Sequence, residues 1–369
     1  MNSGRIDSID GWRILAAVGV LYGHTWALFN NPSWVVAGVN VMQVFYLWGY
    51  GVHLFFVISG LCFYLILSRQ PVFDWRMAVG FWKKRWLRIA PAFYVACVVY
   101  GLANYSRLHH DLIYRLFFNF IFLQDYVPNT RIEGIFWSLA VEGHFYLLLP
   151  LIFVLINRIG VLSTVVSILS LHVLLNLWHY KFHYPYKEIP FLIDSWWYTT
   201  YCNIGHFAWG ILVGYFYTRR KLVKFFSRWW SLPVGLALAY TGRIFIYSHA
   251  LVLEGPSRYI FQATGPLVMT MGFACMIFSC LENETLSRIW GNRALASPGR
   301  VSYSFYLWHT LILRVVYEVF KDHLPWTAVG VFATMGVTLV ILIPVSYLSF
   351  KLLESFYFRR IVQISATRG

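Results

Sequence analysis

Charged residues are scarce in this sequence. Only 12% of its 369 residues are Asp, Glu, Lys or Arg, whereas soluble domains contain about 25%. The hydrophobic share is 59% and the mean hydropathy is +0.59. These values exclude an ordinary soluble domain and indicate an integral membrane protein. Because apolar runs recur along almost the whole chain, we predict a single transmembrane domain over residues 1–369, with no appended soluble domain.

Cysteine and acidic residues are also few. The five cysteines show no Cys-x-x-Cys spacing, so neither a disulfide framework nor a metal site is indicated. A net charge of +15 could attract nucleic acid. Here, however, Lys and Arg cluster in short segments between apolar runs, as the positive-inside rule demands. We therefore expect the lipid bilayer, and not nucleic acid, to be the partner of this charge.

Long apolar runs, in contrast, are plentiful. With the N-terminus in the cytoplasm, 21 Lys and Arg residues fall on the cytoplasmic side and seven on the outer side. The sequence therefore predicts an all-α bundle of about ten transmembrane helices, with both termini cytoplasmic, in the plasma (cytoplasmic or inner) membrane. The segments with the length and hydropathy of a span are roughly 10–29, 47–68, 83–103, 137–157, 160–178, 196–217, 231–248, 259–281, 301–320 and 326–350.

Two ionisable residues interrupt the first apolar run. Arg13 and His24 are eleven residues apart, which is close to a whole number of helical turns, so both side chains share one helix face. They lie about 16 Å apart along the helix axis. Because ionisable residues inside a membrane are costly, they indicate a functional site by default. The pattern suits a long anionic molecule that is bound at one end and reacts at the other.

Glu142 is predicted at the same depth as His24. It lies about one and a half turns into a segment that starts on the outer side, where His24 also lies. A carboxylate at that depth needs a partner or must be neutral, and the imidazole of His24 is available. We expect the two to form a catalytic pair, with a purely structural polar pair as the alternative.

Basic residues are concentrated at the start of the third apolar segment, KKRWLRIAP. Arg85 and Arg88 are three residues apart and share a helix face. Anchoring to lipid headgroups is one explanation. The other explanation is a group of cations around one opening, because Arg13 lies on the same side of the membrane. Such a group suits a phosphorylated ligand. Coenzyme A has the required shape, with a phosphoadenosine head, a long pantetheine arm and a thioester at its tip.

The chain resembles the acyltransferase type 3 family of multi-spanning membrane O-acyltransferases. Five segments occur in the family's order: IDGWRILAAVGVLYGH, HLFFVISGLCFY, KRWLRIAPAFY, FWSLAVEGHFYLLLPL and VSYSFYLWHTLIL. Two departures stand out. Many relatives place an Arg in the segment matching CNIGHFAWGILVGYF, where this chain has His206, and many show Glu-x-Pro where this chain has Glu354 followed by Ser355 and Phe356.

The resemblance implies transfer of an acyl group, most often acetyl, from cytoplasmic acyl-CoA to a hydroxyl of a carbohydrate or lipid-linked glycan. No permanently bound cofactor is implied, since acetyl-CoA is the donor substrate. The roles that it implies are catalysis by His24 and Glu142, donor binding by Arg13, Arg85 and Arg88, a path lined by Ser59 and Gly60, and further lining by Tyr306 and His309.

Several alternatives stay open on sequence alone. The acceptor hydroxyl could attack the thioester directly with His24 as general base, or His24 could itself be acylated first. A secondary transporter or acyl-donor channel would also carry buried charges along its path. The acceptor, the identity of the small acyl group and the oligomeric state are not specified by these patterns.

Overall fold

Long helices form almost all of the protein, which is described here by a computed structural model. The described residues are 6–69, 75–183, 198–248 and 256–355. Ten long helices, numbered in chain order, occupy the ten predicted segments. They are α1 (Asp7–Leu28), α2 (Gly51–Leu67), α3 (Trp75–Ala103), α4 (Trp137–Ile159), α5 (Val161–His183), α6 (Thr200–Thr218), α7 (Ser231–Ser248), α8 (Pro256–Glu282), α9 (Ser302–Phe320) and α10 (Ala328–Ser349).

Short elements connect the long helices. A two-stranded antiparallel hairpin pairs β1 (Val35–Val36) with β2 (Val39–Asn40). A π-helical turn, Phe350–Glu354, continues α10. The remaining short helices are Val41–Phe45, Tyr46–Tyr50, Tyr105–Leu108, Leu112–Phe120, Gly134–Phe136, Val223–Phe226, Glu284–Trp290 and Arg293–Arg300.

Six helices of the described chain are long and apolar enough to cross a membrane: Val41–Leu67, Val79–Ala103, Gly134–Ile159, Val161–His179, Tyr259–Glu282 and Ala328–Glu354. This finding confirms an all-α membrane protein. Arg13 and His24 lower the hydropathy of α1, which is why this buried helix is not among the six. The number of ten spans and the cytoplasmic termini stay predictions.

Glycines let two helices cross at close range near the centre of the bundle. A Cβ atom on Gly60 of α2 would lie 2.1 Å from the carbonyl oxygen of Phe207 in α6, and one on Gly210 would lie 1.9 Å from that of Val57. Both distances are far too short for any side chain. The two glycines therefore fix the α2–α6 crossing, against which α1 packs.

Candidate active site

A polar cavity lies between α1, α2, α3, α4 and α9. Its empty volume, including the part that is open to solvent, is about 720 Å³. The apolar part of the wall is formed by Val52, Phe55, Phe56, Ile58, Ile89 and Leu139. The polar part is formed by Arg13, Ser59, Cys62, Arg85, Arg88, Ser138, Glu142, Tyr146, Ser302, Tyr303 and Tyr306. A wall of this mixed character can hold an apolar arm and a charged head.

Arg13 enters the cavity from α1 and is held by two neighbours. Its Nη1 donates to Oδ1 of Asp10 at 2.8 Å, and its Nη2 donates to Sγ of Cys62 at 3.4 Å. Asp10 is almost completely buried, so the ion pair is shielded from solvent on one side. Part of the positive charge of Arg13 is thus already compensated within the protein.

Arg85 and Arg88 bring further positive charge to the same wall from α3. The guanidinium of Arg85 lies 5.2 Å from the ring centroids of both Phe81 and Tyr146, an arrangement that stabilises a cation through the aromatic faces. Neither Arg85 nor Arg88 forms an ion pair within the described part of the chain. Both guanidinium groups can therefore offer N–H donors to an anionic ligand.

Glu142 also lines this cavity. Its Oε1 accepts a hydrogen bond from Ser59 Oγ at 2.9 Å and a second one from the hydroxyl of Tyr146, four residues further along α4. Tyr146 in turn lies under Arg85. The sequence predicted Glu142 as the partner of His24, but the structure gives it different hydrogen-bond partners. The carboxylate belongs to the wall that carries the arginines.

His24 lies beyond the cavity, next to His309 of α9. The two ring centroids are 5.2 Å apart. Tyr306 connects the two places, because it lines the cavity and its ring centroid is 5.3 Å from that of His309. Its hydroxyl bonds to Ser138 Oγ at 2.8 Å and to the carbonyl oxygen of Ile135 at 2.9 Å. We refer to the two ends of α1 as the Arg13 end and the His24 end of the bundle.

Three arginines of the His24 end are paired with carboxylates. Arg115 bonds to Asp111 at 2.8 Å, Arg131 bonds to Asp125 at 2.6 Å, and Arg314 bonds to Glu133 at 2.8 Å. Asp125 lies in the connection between α3 and α4, where burial raises its pKa to about 6 although the Arg131 guanidinium opposes this. Two of these pairs lie within the connection between α3 and α4, and the third joins this connection to α9.

The structure therefore brings together most of the residues that the sequence selected. Arg13, Arg85, Arg88, Ser59, Glu142 and Tyr306 share one cavity wall, and His309 lies against His24. Gly60, expected along the donor path, lies instead at the contact of α2 with Phe207 of α6.

Sequence reasoning did not select Tyr146 or Cys62. Tyr146 follows Glu142 by four residues, and Cys62 follows Ser59 by three. Either spacing places the second side chain on the helix face of the first. This periodicity is the signal that could have found both residues.

These observations define a helical membrane protein with an internal, cation-lined ligand cavity and an imidazole pair beyond it. The family follows from comparison with known sequences. The family model described as "Acyltransferase domain" matches residues 6–346, and the chain belongs to this family. The resemblance predicted from five short segments is thus confirmed over nearly the whole chain.

The similar proteins are distant in sequence. The O-acetyltransferase OatA of Staphylococcus aureus (strain NCTC 8325 / PS 47) is 24% identical over 339 residues, which cover 84% of this chain and 51% of the relative. A protein of Staphylococcus aureus (strain COL), named provisionally as an O-acetyltransferase, is 24% identical over 350 residues. These residues cover 86% of this chain and 52% of the relative.

A viral relative is matched over more of its length. A protein of Acidianus two-tailed virus, named provisionally as an acetyltransferase, is 25% identical over 316 residues, covering 84% of this chain and 82% of the relative. In contrast, the chain spans about half the length of the staphylococcal relatives. No solved structure gives a significant match.

Proposed function

We propose that this protein is a membrane O-acetyltransferase. It takes an acetyl group from cytoplasmic acetyl-CoA and transfers it to a hydroxyl of a carbohydrate or lipid-linked glycan at or near the outer face of the plasma membrane. Membership of the acyltransferase family and the O-acetyltransferase names of its relatives support the reaction class. The observation that carries the choice of donor is the pair of arginines, Arg85 and Arg88, that line the cavity and form no ion pair within the described chain.

The donor is bound through its phosphates in this proposal. Guanidinium groups form bidentate, charge-assisted hydrogen bonds to phosphate oxygens, and Arg85 is free to do so above the ring of Tyr146. Glu142 holds the Tyr146 hydroxyl in place and separates the positive charges while no phosphate is bound. The apolar wall formed by Val52, Phe55 and Phe56 suits the pantetheine arm.

His24 supplies the reacting nitrogen, about 16 Å along α1 from Arg13. In the direct route, His24 takes the proton of the acceptor hydroxyl while the oxygen of that hydroxyl attacks the thioester carbonyl. The new C–O bond forms, the C–S bond breaks, and the thiolate of coenzyme A leaves and takes the proton from the imidazolium.

A two-step route uses the same residue. His24 first attacks the thioester carbonyl, the C–S bond breaks and the thiolate of coenzyme A leaves, so that the imidazole carries the acetyl group. The oxygen of the acceptor hydroxyl then attacks this acetyl carbon, the C–N bond to His24 breaks, and the hydroxyl proton passes to the imidazole. The acceptor does not need to be present during the first step. Acetyl-enzyme formed from donor alone would therefore distinguish this route from direct transfer.

Purified protein in lipid nanodiscs with [14C]acetyl-CoA tests the proposal. We expect release of coenzyme A and, with membranes of the host added, transfer of label to glycan or lipid-linked glycan. His24→Ala should stop both. Uptake of intact acetyl-CoA into sealed vesicles without any acetyl transfer would contradict the proposal and favour a transporter.

A further inference from the structure

The ring of His309 has one nitrogen bonded and one without a partner. Its Nδ1 lies 2.5 Å from the carbonyl oxygen of Tyr306. Because a carbonyl oxygen only accepts, Nδ1 carries the hydrogen, and in the neutral ring Nε2 is then a bare acceptor. That Nε2 is buried and has no hydrogen-bond partner within the described residues. Leaving a buried acceptor unmatched is costly in free energy, so this arrangement points to a donor on an adjacent side chain.

The hydroxyl groups near His309 already have hydrogen-bond partners. The hydroxyl of Tyr306 is already bonded to Ser138 and to the carbonyl oxygen of Ile135. The nearby hydroxyl of Tyr100 is bonded to Thr310 and to the carbonyl oxygen of Leu307. His24, with its ring centroid 5.2 Å from that of His309 and inclined by 47°, is the adjacent group with an N–H to give.

The two imidazoles differ in exposure. His309 is 1% exposed, whereas the side chain of His24 is exposed. One ring is therefore fixed inside the protein, and the other can meet a substrate. This is the usual division between the orienting member and the reacting member of a catalytic pair.

We propose that His309 is a positioning residue for His24, the role that the sequence analysis predicts for Glu142. This inference rests on the proposed function. The Nε2 of His309 accepts a hydrogen bond from one ring nitrogen of His24, which fixes the tautomer and leaves the other ring nitrogen bare. That bare nitrogen takes the acceptor proton in the direct route or attacks the thioester in the two-step route.

The charges around the pair fit a neutral orienting group. Arg314 is the charged residue near His24 and His309, and it is paired with Glu133 at 2.8 Å. The Arg314–Glu133 pair is neutral overall. His309 can thus orient His24 without placing an unpaired carboxylate inside the bundle, which would be costly.

Two substitutions at His309 test this assignment. Gln places an amide oxygen close to the position of Nε2 and keeps an acceptor there, whereas Leu fills a similar volume without one. We expect His309→Leu to lower kcat for acetyl transfer about 100-fold, in the range for loss of acid–base assistance, with KM for acetyl-CoA changed less than about twofold. His309→Gln should recover about tenfold of this loss. His172→Leu, at another buried histidine remote from His24, serves as the packing control and should retain kcat.

A chemical reaction that needs no acetyl transfer provides the second readout. Diethyl pyrocarbonate acylates neutral imidazoles, and mass spectrometry of the peptide that contains His24 reports its labelling rate. Wild type and His309→Gln should label faster than His309→Leu. Equal labelling of all three folded proteins, or His309→Leu with kcat within about threefold of wild type, would overturn the assignment. If wild type transfers no acetyl group, the proposed function fails, while the labelling still tests the histidine pair.

Discussion

The arginines of this bundle fall into two groups with different surroundings. At the His24 end, Arg115, Arg131 and Arg314 each form an ion pair with a carboxylate. At the Arg13 end, Arg13 and Arg300 are likewise paired, with Asp10 and Asp7. Arg85 and Arg88 of the cavity wall differ, because neither forms an ion pair within the described chain, although Glu142 lines the same wall. The difference therefore lies between the paired arginines at both ends of the bundle and the two cavity arginines, Arg85 and Arg88, whose guanidinium groups stay available to a ligand.

This difference explains how one helix can serve two tasks. Guanidinium groups without ion pairs repel each other, and in the proposed function the phosphates of the donor supply the missing negative charge. At the other end of α1, His24 lies next to a second imidazole. The proposed function thus places donor binding and the reaction of the thioester on separate residues, and substitutions should separate the two.

The largest effect is expected from His24→Ala. Removing the reacting imidazole should lower the rate of acetyl transfer by about 10² to 10⁴, as loss of a general base or nucleophile does. KM for acetyl-CoA should stay within about twofold, because the donor phosphates bind elsewhere. Steady-state kinetics with radiolabelled donor measures both values. A near-normal rate would show that His24 is not the reacting residue.

Arg88→Gln should give the next largest effect, and this effect should be confined to the binding of the donor. Loss of one charge-assisted hydrogen bond costs about 1.5–3 kcal/mol, so KM for acetyl-CoA should rise roughly 10- to 100-fold while kcat changes little. Arg115→Gln is the matched control from the His24 end. It should lower thermal stability and leave KM unchanged, and equal effects of the two variants on KM would remove the distinction between the two groups of arginines.

Glu142→Gln tells the two roles of this residue apart. The amide keeps acceptors for Ser59 and Tyr146 but removes a negative charge beside the donor phosphates. Because that charge repels phosphate by about 1 kcal/mol in a partly solvated site, KM for acetyl-CoA should fall about fivefold with kcat nearly unchanged. A loss of kcat of about 100-fold would instead support the original prediction that Glu142 assists His24.

The smallest expected effect is on the pH dependence of stability, through Asp125, the carboxylate partner of Arg131 at the His24 end. Burial raises the pKa of Asp125 to about 6, whereas its ordinary value is 3.8. Between these values the native carboxyl keeps a proton that the unfolded chain has lost, so stability falls as the pH rises through this interval. Asp125→Asn should abolish this dependence, a change of a few °C in Tm between pH 4 and pH 6. Thermal unfolding of the two proteins in detergent, at both pH values, measures it.

The sequence predicts depth well in this protein. Arg13, Arg85 and Arg88 were placed near one opening because the rise of a helix is fixed at about 1.5 Å per residue, and all three line the cavity. The ten helical segments were found for the same reason, since the length and hydropathy of each run are local properties.

The rotation of each helix about its own axis, in contrast, cannot be predicted from the length and hydropathy of its segment. Glu142 was assigned to His24 because the two were at one depth, but which face of α4 meets which neighbour depends on packing between helices that are distant in sequence. Gly60 shows the same effect, because its contact with Phe207 arises from the α2–α6 crossing. His309 was selected only through resemblance, and its position beside His24 follows from the packing of α1 against α9.

Equilibrium binding of coenzyme A tests the central claim most directly, because coenzyme A has no acyl group to transfer. Isothermal titration of wild type, Arg88→Gln and His24→Ala in lipid nanodiscs compares the two ends of α1 without any reaction. We predict that Arg88→Gln binds at least about tenfold more weakly than wild type, whereas His24→Ala binds with the affinity of wild type. Unchanged binding by Arg88→Gln, or loss of binding in His24→Ala, would contradict the separation of donor binding from catalysis.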